Sequence, residues 1–191
     1  MKNIISIFAV LGFCIISGSA LAGSNYIHIK AGSYDFEMTQ QTVLGRTINI
    51  DDNNSSYFAA EYQHIFDSNF SIGGEVLEAQ HEYTDTANNN RGDIYSNLFL
   101  FNAKYNFDIT SWLNSFIGVS AGFSVVEMEG PVNSDMVGAV YGYGVGLTFR
   151  FSKHVGLTFQ YSGLDSEPED SAGNTLDISG RNFSANVSLF F

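Results

Sequence analysis

The sequence predicts an all-β fold: an eight-stranded antiparallel up-and-down barrel that crosses a lipid bilayer. Three observations predict it. Apolar and polar residues alternate over most of the chain, as in YGYGVGLTFRF at 141–151, where Tyr141, Tyr143, Val145, Leu147, Phe149 and Phe151 share one parity and Gly142, Gly144, Gly146, Thr148 and Arg150 the other. Successive side chains of an extended strand point to opposite faces, so this stretch is a ribbon with one bulky face and one nearly bare face. Glycine is frequent, at 19 residues, while proline occurs only twice, and interior proline is what a ladder of paired strands excludes. Finally, the connections alternate: 67–69, 108–114 and 152–154 are short, whereas 37–55, 79–94, 127–135 and 165–177 are long and polar. All short turns then gather at one end of a meander and all long loops at the other, the asymmetry of membrane-spanning barrels.

The strands are predicted at 26–36, 56–66, 70–78, 95–107, 115–126, 136–151, 155–164 and 178–191. The first carries Lys30 in an alternating run. In the second, Phe58, Ala60 and Tyr62 oppose Glu61 and Gln63; in the third, Phe70, Ile72 and Val76 oppose Gly73 and Glu75. The fourth sets Phe99, Phe101, Ala103, Tyr105 and Phe107 against Asn102 and Lys104, and the fifth sets Ile117, Val119, Ala121 and Phe123 against Gly118, Ser120 and Gly122. The sixth is the ribbon quoted above. In the seventh, Val155, Leu157, Phe159 and Tyr161 face away from Thr158 and Gln160; in the eighth, Phe183, Ala185, Val187, Leu189 and Phe191 face away from Asn182, Ser184, Asn186 and Ser188.

Which face looks inward follows from volume. An eight-stranded cylinder has only just enough room for side chains, and a set dominated by aromatic and branched residues would overfill it. The small and polar set fits, so the oily face is expected to point into lipid. A closed sheet satisfies every backbone amide within hydrocarbon, and strands of about 9–11 residues match a tilted crossing. Trp112 in a short turn and the Tyr and Phe residues near strand ends suit aromatic girdles at the interfaces.

The start of the chain reads as a cleaved leader. Lys2 precedes an apolar run at 4–16 and then Ser17-Gly18-Ser19-Ala20-Leu21-Ala22, the charged, apolar and small-residue order of a secretory signal peptide with cleavage after Ala22. The run is shorter than the roughly 18 residues a spanning helix needs. The expected division is a signal peptide at 1–22 and one barrel domain at 23–191. Cys14 is the only cysteine and follows the bulky Phe13, so the leader does not read as a lipoprotein signal. The remaining chain has no thiol for disulfides or metal sites. With 20 acidic against 8 basic residues and a net charge of −12, the composition argues against nucleic acid as a partner.

The segment AEYQHIFDSNFSIGGE at 60–75 and the ending NFSANVSLFF at 182–191, together with the leader and the hairpin rhythm, resemble the small eight-stranded outer-membrane barrels of Gram-negative bacteria, the OmpA/OmpX-like group. The resemblance implies an integral protein of the bacterial outer membrane, monomeric, with both termini periplasmic, in contact with outer-membrane lipid and lipopolysaccharide. It also implies that the last strand, through Phe183, Val187, Leu189 and Phe191, is the signal read by the barrel-assembly machinery. Relatives in this group include adhesins, membrane tethers and small channels.

Four constellations of residues bear on function. Glu61, Glu75, Lys104 and Arg150, with Lys30 as a further candidate, are expected to face the lumen, where opposite charges must pair; a structural plug and a switchable gate are the alternatives. The acidic loop formed by Asp165, Glu167, Glu169 and Asp170 is a candidate cation-binding loop, because hard cations take several oxygen ligands, although no EF-hand pattern is present and solvated, mutually repelling loops are the plainer reading. Arg91-Gly92-Asp93 has the form of an adhesion tripeptide but is read as a glycine-assisted turn. No catalytic set is expected: Gln160-Tyr161-Ser162 has Gln160 where a lipid A deacylase-like pattern would have His, and His28, His64, His81 and His154 are scattered. No cofactor or metal is implied. The expected function is therefore a structural or surface-interaction role, adhesin-like or envelope-stabilising, with acidic loops meeting a host or envelope ligand; a narrow channel for water or small ions, and a lipid-modifying enzyme, are the alternatives.

Overall fold

The computed structural model describes residues 24–191, so the leader read at 1–22 lies outside the described residues. Nine strands run in chain order: β1 (Ser24–Phe36), β2 (Gln40–Val43), β3 (Arg46–Ile65), β4 (Phe70–Asp85), β5 (Asn90–Asp108), β6 (Leu113–Glu129), β7 (Ser134–Arg150), β8 (Val155–Ser166) and β9 (Gly180–Phe190). Each long strand pairs antiparallel with its neighbour, and β1 pairs with both β9 and β3, which closes eight strands into a barrel. The short β2 lies outside that count and pairs only with the start of β3, from Gln40↔Asn49 to Val43↔Arg46.

The strands are longer than the sequence alone suggests. Most of the segments read as long loops at 37–55, 79–94 and 127–135 are strand: β4 continues to Asp85, β5 begins at Asn90, β6 continues to Glu129 and β7 begins at Ser134. Only the connection between β8 and β9 remains long, and it is pinned by the backbone pairing of Glu169 with Val137 and Thr175. The Arg91-Gly92-Asp93 tripeptide accordingly lies within β5, paired with Thr84, Tyr83 and Glu82 of β4, and is not a turn.

The added height changes what faces inward. In the lower barrel, nearer the short turns, the expected arrangement holds: Phe101, Phe107, Ile117, Val119, Tyr141 and Tyr143 are exposed on the outer wall, while Asn102, Lys104, Thr158, Gln160, Asn182 and Asn186 are buried inside. In the upper barrel the faces exchange character. Tyr34, Ile48, Leu77, Tyr83, Ile94, Leu98, Val126, Met136, Leu176 and Ile178 are buried inside in one apolar cluster, while Glu78, Glu82, Asp93, Glu127, Glu129 and Asp135 are not buried and share the outer parity. The outward-apolar rule thus applies only to the band inside lipid; above it the barrel is built like a water-soluble protein, with its oily residues inside.

On β3 the change of phase is made by an irregularity between Asp51 and Ser56, where the register against β4 shifts. Ile48 and Ile50 on one side of it and Tyr57 and Ala59 on the other are all buried. Five steps along β3 are set against two along β4, and an odd excess, here three residues, re-aims the side chains that follow.

The top is capped. The β2–β3 hairpin buries Val43, and Gln41 clasps the β8–β9 connection, its Nε2 donating to the Asp177 carbonyl at 2.6 Å and its Oε1 accepting from the Asp177 N–H at 2.7 Å. Tyr34 donates to the Ile178 carbonyl at 2.6 Å. Tyr83 donates to the Val132 carbonyl at 2.9 Å and accepts from the Val132 N–H at 3.0 Å. Buried tyrosine hydroxyls need such partners, and here they tie the β6–β7 turn and the last loop to the core.

Wall curvature places its demand on Gly122, where an added Cβ would sit 1.9 Å from the Phe99 carbonyl oxygen across the β5–β6 pair. Gly122→Ala is expected to cost about 1–3 kcal/mol, the usual range for overpacking. Gly144→Ala, whose Cβ would meet nothing nearer than 3.5 Å, is expected to stay within about 0.5 kcal/mol. Urea unfolding of the two variants in lipid separates them.

Candidate functional site

Four charged residues from four adjacent strands meet at mid-height in the lumen. The β3–β4 register sets Glu61 directly opposite Glu75, an unfavourable pairing of like charges. Lys30 of β1 resolves it: its Nζ lies 2.8 Å from Glu61 Oε2 and 3.0 Å from Glu75 Oε1. Lys104 of β5 places Nζ 2.6 Å from Glu61 Oε1 and 4.6 Å from the centre of the Phe116 ring. Asn102 donates to both carboxylates at 2.9 Å, and Lys30 donates to Gln160 Oε1 at 3.2 Å. Two cations and two anions cancel, and all four side chains are buried, so little net charge remains for an ion to feel.

Arg150 does not join this cluster. Its parity is inward as expected, but it ends β7 at the short-turn mouth, where Nη2 donates to the Tyr26 hydroxyl at 2.9 Å and the guanidinium stands 5.2 Å from the Phe190 ring centre. Parity fixes the face of a side chain and not its height. Lys30, only a further candidate in the sequence, is the cation that bridges both glutamates.

A hydroxyl chain runs below the cluster. His28 Nδ1 lies 2.8 Å from Ser188 Oγ, Ser188 Oγ 2.8 Å from Thr158 Oγ1, and Thr158 Oγ1 2.8 Å from Thr148 Oγ1. The His28–Ser188 contact joins strands that no local motif connects, so sequence reading missed it. Both residues are buried. A separate cavity beside the charge cluster, lined in part by Glu75, Lys104, Ser120 and Ser162, has a volume of about 20 Å³, room for about one water. The remaining histidines lie apart: His64 contacts Asn25 at 2.9 Å, His81 stacks on Phe36 in the upper core at 3.9 Å between centroids, and His154 contacts the Phe190 carbonyl at 3.2 Å. Among the described residues, no group of three or more His, Cys, Asp or Glu is placed to hold a metal ion.

The candidate cation loop is likewise not assembled. Asp170 is committed to its own turn, accepting from the Ala172 and Asn174 N–H groups at 2.8 and 2.9 Å, from Asn174 Nδ2 at 2.9 Å and from Ser134 at 3.3 Å. Asp165 accepts from Ser179 at 3.1 Å, while Glu167 and Glu169 are exposed. Acid density in the sequence reflected local turn-making and solvation, not convergence. Of the residues read as an assembly signal, Phe183, Val187, Leu189 and Phe191 lie 42–54% exposed on the outer face at the end of the chain.

The acidic end has a pH-sensitive tie. The Ala87 N–H, Arg46 and Asn88 hold the Asp85 carboxyl below its ordinary value, with Arg46 Nη1 at 2.8 Å. A carboxyl depressed in the folded state adds stability above its unfolded pKa of about 3.9, and this is lost as pH falls through the lower folded value. The Thr86 amide, which donates to the Thr47 carbonyl at 3.0 Å, is therefore expected to stay protected from hydrogen exchange at pH 5 and to lose protection only under more acid conditions.

Comparison with solved structures places this architecture among outer-membrane barrels. The outer membrane protein OprG of Pseudomonas aeruginosa is 10% identical with a TM-score of 0.59, covering 89% of this chain and 96% of its own. The attachment invasion locus protein Ail of Yersinia pestis, in complex with the heparin analogue sucrose octasulfate, is 14% identical with a TM-score of 0.55, covering 90% of this chain and all of its own. The N-terminal barrel domain of OprF from Pseudomonas aeruginosa is 12% identical with a TM-score of 0.55, covering 88% and 98%. At these identities the likeness is one of fold. No curated protein sequence matches the chain. The family model described as outer membrane protein beta-barrel domain matches residues 6–191, and the chain belongs to that family of bacterial outer-membrane β-barrel proteins.

Proposed function

We propose that this protein is a non-conducting, non-catalytic barrel of the outer membrane that holds an acidic sheet above the lipid for contact with a cationic partner at the host or envelope surface. The observation that carries the reading is the closed lumen: a neutral, hydrogen-bonded charge cluster lies beneath an apolar core and a capped top. Such a stack offers an ion room for no more than about one water at the cluster and no uncompensated charge. The buried His28–Ser188 pair supports the non-catalytic part of the reading, since a nucleophile must be reachable.

The surface part rests on register. Glu82 pairs with Asp93 and Asp93 with Glu129, while Glu127 pairs with Asp135. Carboxylates set side by side across strands repel, and a cationic partner relieves that repulsion. A polyanion such as the sucrose octasulfate bound to Ail would meet the wrong sign here. The same reading takes 1–22 as a cleaved leader, 23–191 as one monomeric barrel domain, Phe183, Val187, Leu189 and Phe191 as the segment read by the assembly machinery, and lipopolysaccharide as the outer-leaflet neighbour.

Planar-bilayer recording tests the closed lumen. The refolded barrel is expected to give no discrete conductance steps at neutral pH, and stable ohmic openings would contradict the reading. Surface binding is tested separately with a cationic peptide and nanodisc-embedded barrel: binding should fall with salt and with the triple change Glu82→Gln, Asp93→Asn and Glu129→Gln. Binding insensitive to both would remove the acidic sheet from the account.

A further inference from the structure

At the short-turn mouth the basic residues Arg150 and Lys153 stand with the acids Asp67 and Asp108, whereas the outer face of the top is acidic. Lys30 and Lys104 are held in the lumen, Arg46 is paired with Asp85, and Arg181 with Glu37. Arg150 and Lys153 form no ion pair among the described residues. They lie together, with His154, along a groove of about 500 Å³ that Tyr26, Ser111 and Ser152 also line. Arg150 uses one N–H on the Tyr26 hydroxyl, while its Nε–H finds no protein partner. Asp108, which ends β5 at this mouth, accepts from Asn114 Nδ2 at 3.0 Å.

We propose that this groove binds the phosphate of a glycerophospholipid in the periplasm-facing leaflet. Guanidinium, ammonium and hydroxyl donors on one wall match a phosphate oxyanion by charge and hydrogen bonding. The level of the groove selects a lipid over a soluble anion: Trp112, Phe151 and Phe191 are 53%, 72% and 54% exposed beside it, as expected of side chains at a membrane–water interface. A headgroup folding over the rim from the outer wall meets the exposed Lys153 and His154 first and Arg150 on the inner side of the mouth, while its acyl chains stay against those rings. The acidic outer surface of the upper barrel offers no equivalent, so the lipid contact is one-sided.

Native mass spectrometry of the folded barrel in detergent, titrated with phosphatidylglycerol, diacylglycerol or inorganic phosphate, tests the assignment. One phosphatidylglycerol per barrel should be retained in preference to diacylglycerol, and binding should weaken by about tenfold or more in a Lys153→Gln, His154→Gln variant, as expected on losing a charge-assisted contact. These turn residues are exposed, and heat-modifiable migration checks that the variant is folded. Arg150→Gln should weaken binding as well, and Arg181→Gln, at the far end, should leave it unchanged. Equal retention of diacylglycerol, binding of inorganic phosphate without preference for lipid, or affinity unaltered in the turn variant would each overturn the proposal.

Discussion

Replacing Lys30 by methionine is expected to cost about 3–5 kcal/mol, the range for removing one partner of a buried ion pair. The ammonium spans 2.8 and 3.0 Å to Glu61 and Glu75, and the cavity that Glu75 lines, about 20 Å³, has room for only about one water to solvate what is left. Methionine fills much the same volume, so the loss is electrostatic and not a cavity effect. Glu61 keeps Lys104 at 2.6 Å, but Glu75 keeps only Asn102. Adding Glu75→Gln to Lys30→Met should therefore recover more than half of the loss, because the remaining Glu61–Lys104 pair is neutral by itself. Urea unfolding from lipid bilayers, followed by the single tryptophan, Trp112, measures both variants, and the double-mutant cycle gives the coupling. Equal stability of Lys30→Met and the parent would mean that the cluster is not the keystone of the lumen.

Phe101→Arg is expected to cost about 2–4 kcal/mol, as for a cation on the lipid face near the middle of the bilayer. Phe101 is 58% exposed in the middle of the run Phe99, Phe101, Ala103, Tyr105 and Phe107 on the outer face of β5. Tyr95→Arg, on the same strand and face but above the lipid and paired with Glu127, should change stability by less than about 0.5 kcal/mol, the usual limit for a surface substitution. The contrast between two identical substitutions on one strand locates the edge of the hydrocarbon.

The lower barrel was legible in the sequence because strand periodicity is two and lipid makes one face uniformly oily. The upper barrel was hidden because its polarity is reversed: with glutamates outward at 78 and 82, the stretch from 79 to 94 looks like a solvated loop. A signal was present. Val76-Leu77, Leu98-Phe99-Leu100-Phe101 and Val125-Val126 are runs in which both parities are apolar, and each lies where the inner face turns oily while the outer face has not yet turned polar. Such doublets at matching heights on neighbouring strands mark the lipid boundary and predict strand beyond it.

The site was legible in kind and not in membership. Inward parity and opposite sign pointed to Glu61, Glu75 and Lys104, but relative height depends on strand register and shear, which one sequence does not display. Parity alone therefore groups Arg150 with them, although it closes the mouth with Tyr26, and does not single out Lys30, which is fully buried at the centre. The His28–Ser188 contact depends on closure between the first and last strands, and only a folded barrel brings them together.

The most direct test of the inverted architecture is a nitroxide scan along the outer face of β5, with labels at positions 93, 95, 99, 101, 103, 105 and 107 of the bilayer-embedded barrel. Labels from 99 to 105 should collide with lipid-dissolved oxygen and be shielded from a water-soluble nickel complex, whereas those at 93 and 95 should show the reverse. Nickel access at 101 and 103 equal to that at 93 would place the aromatic band in water and contradict the account.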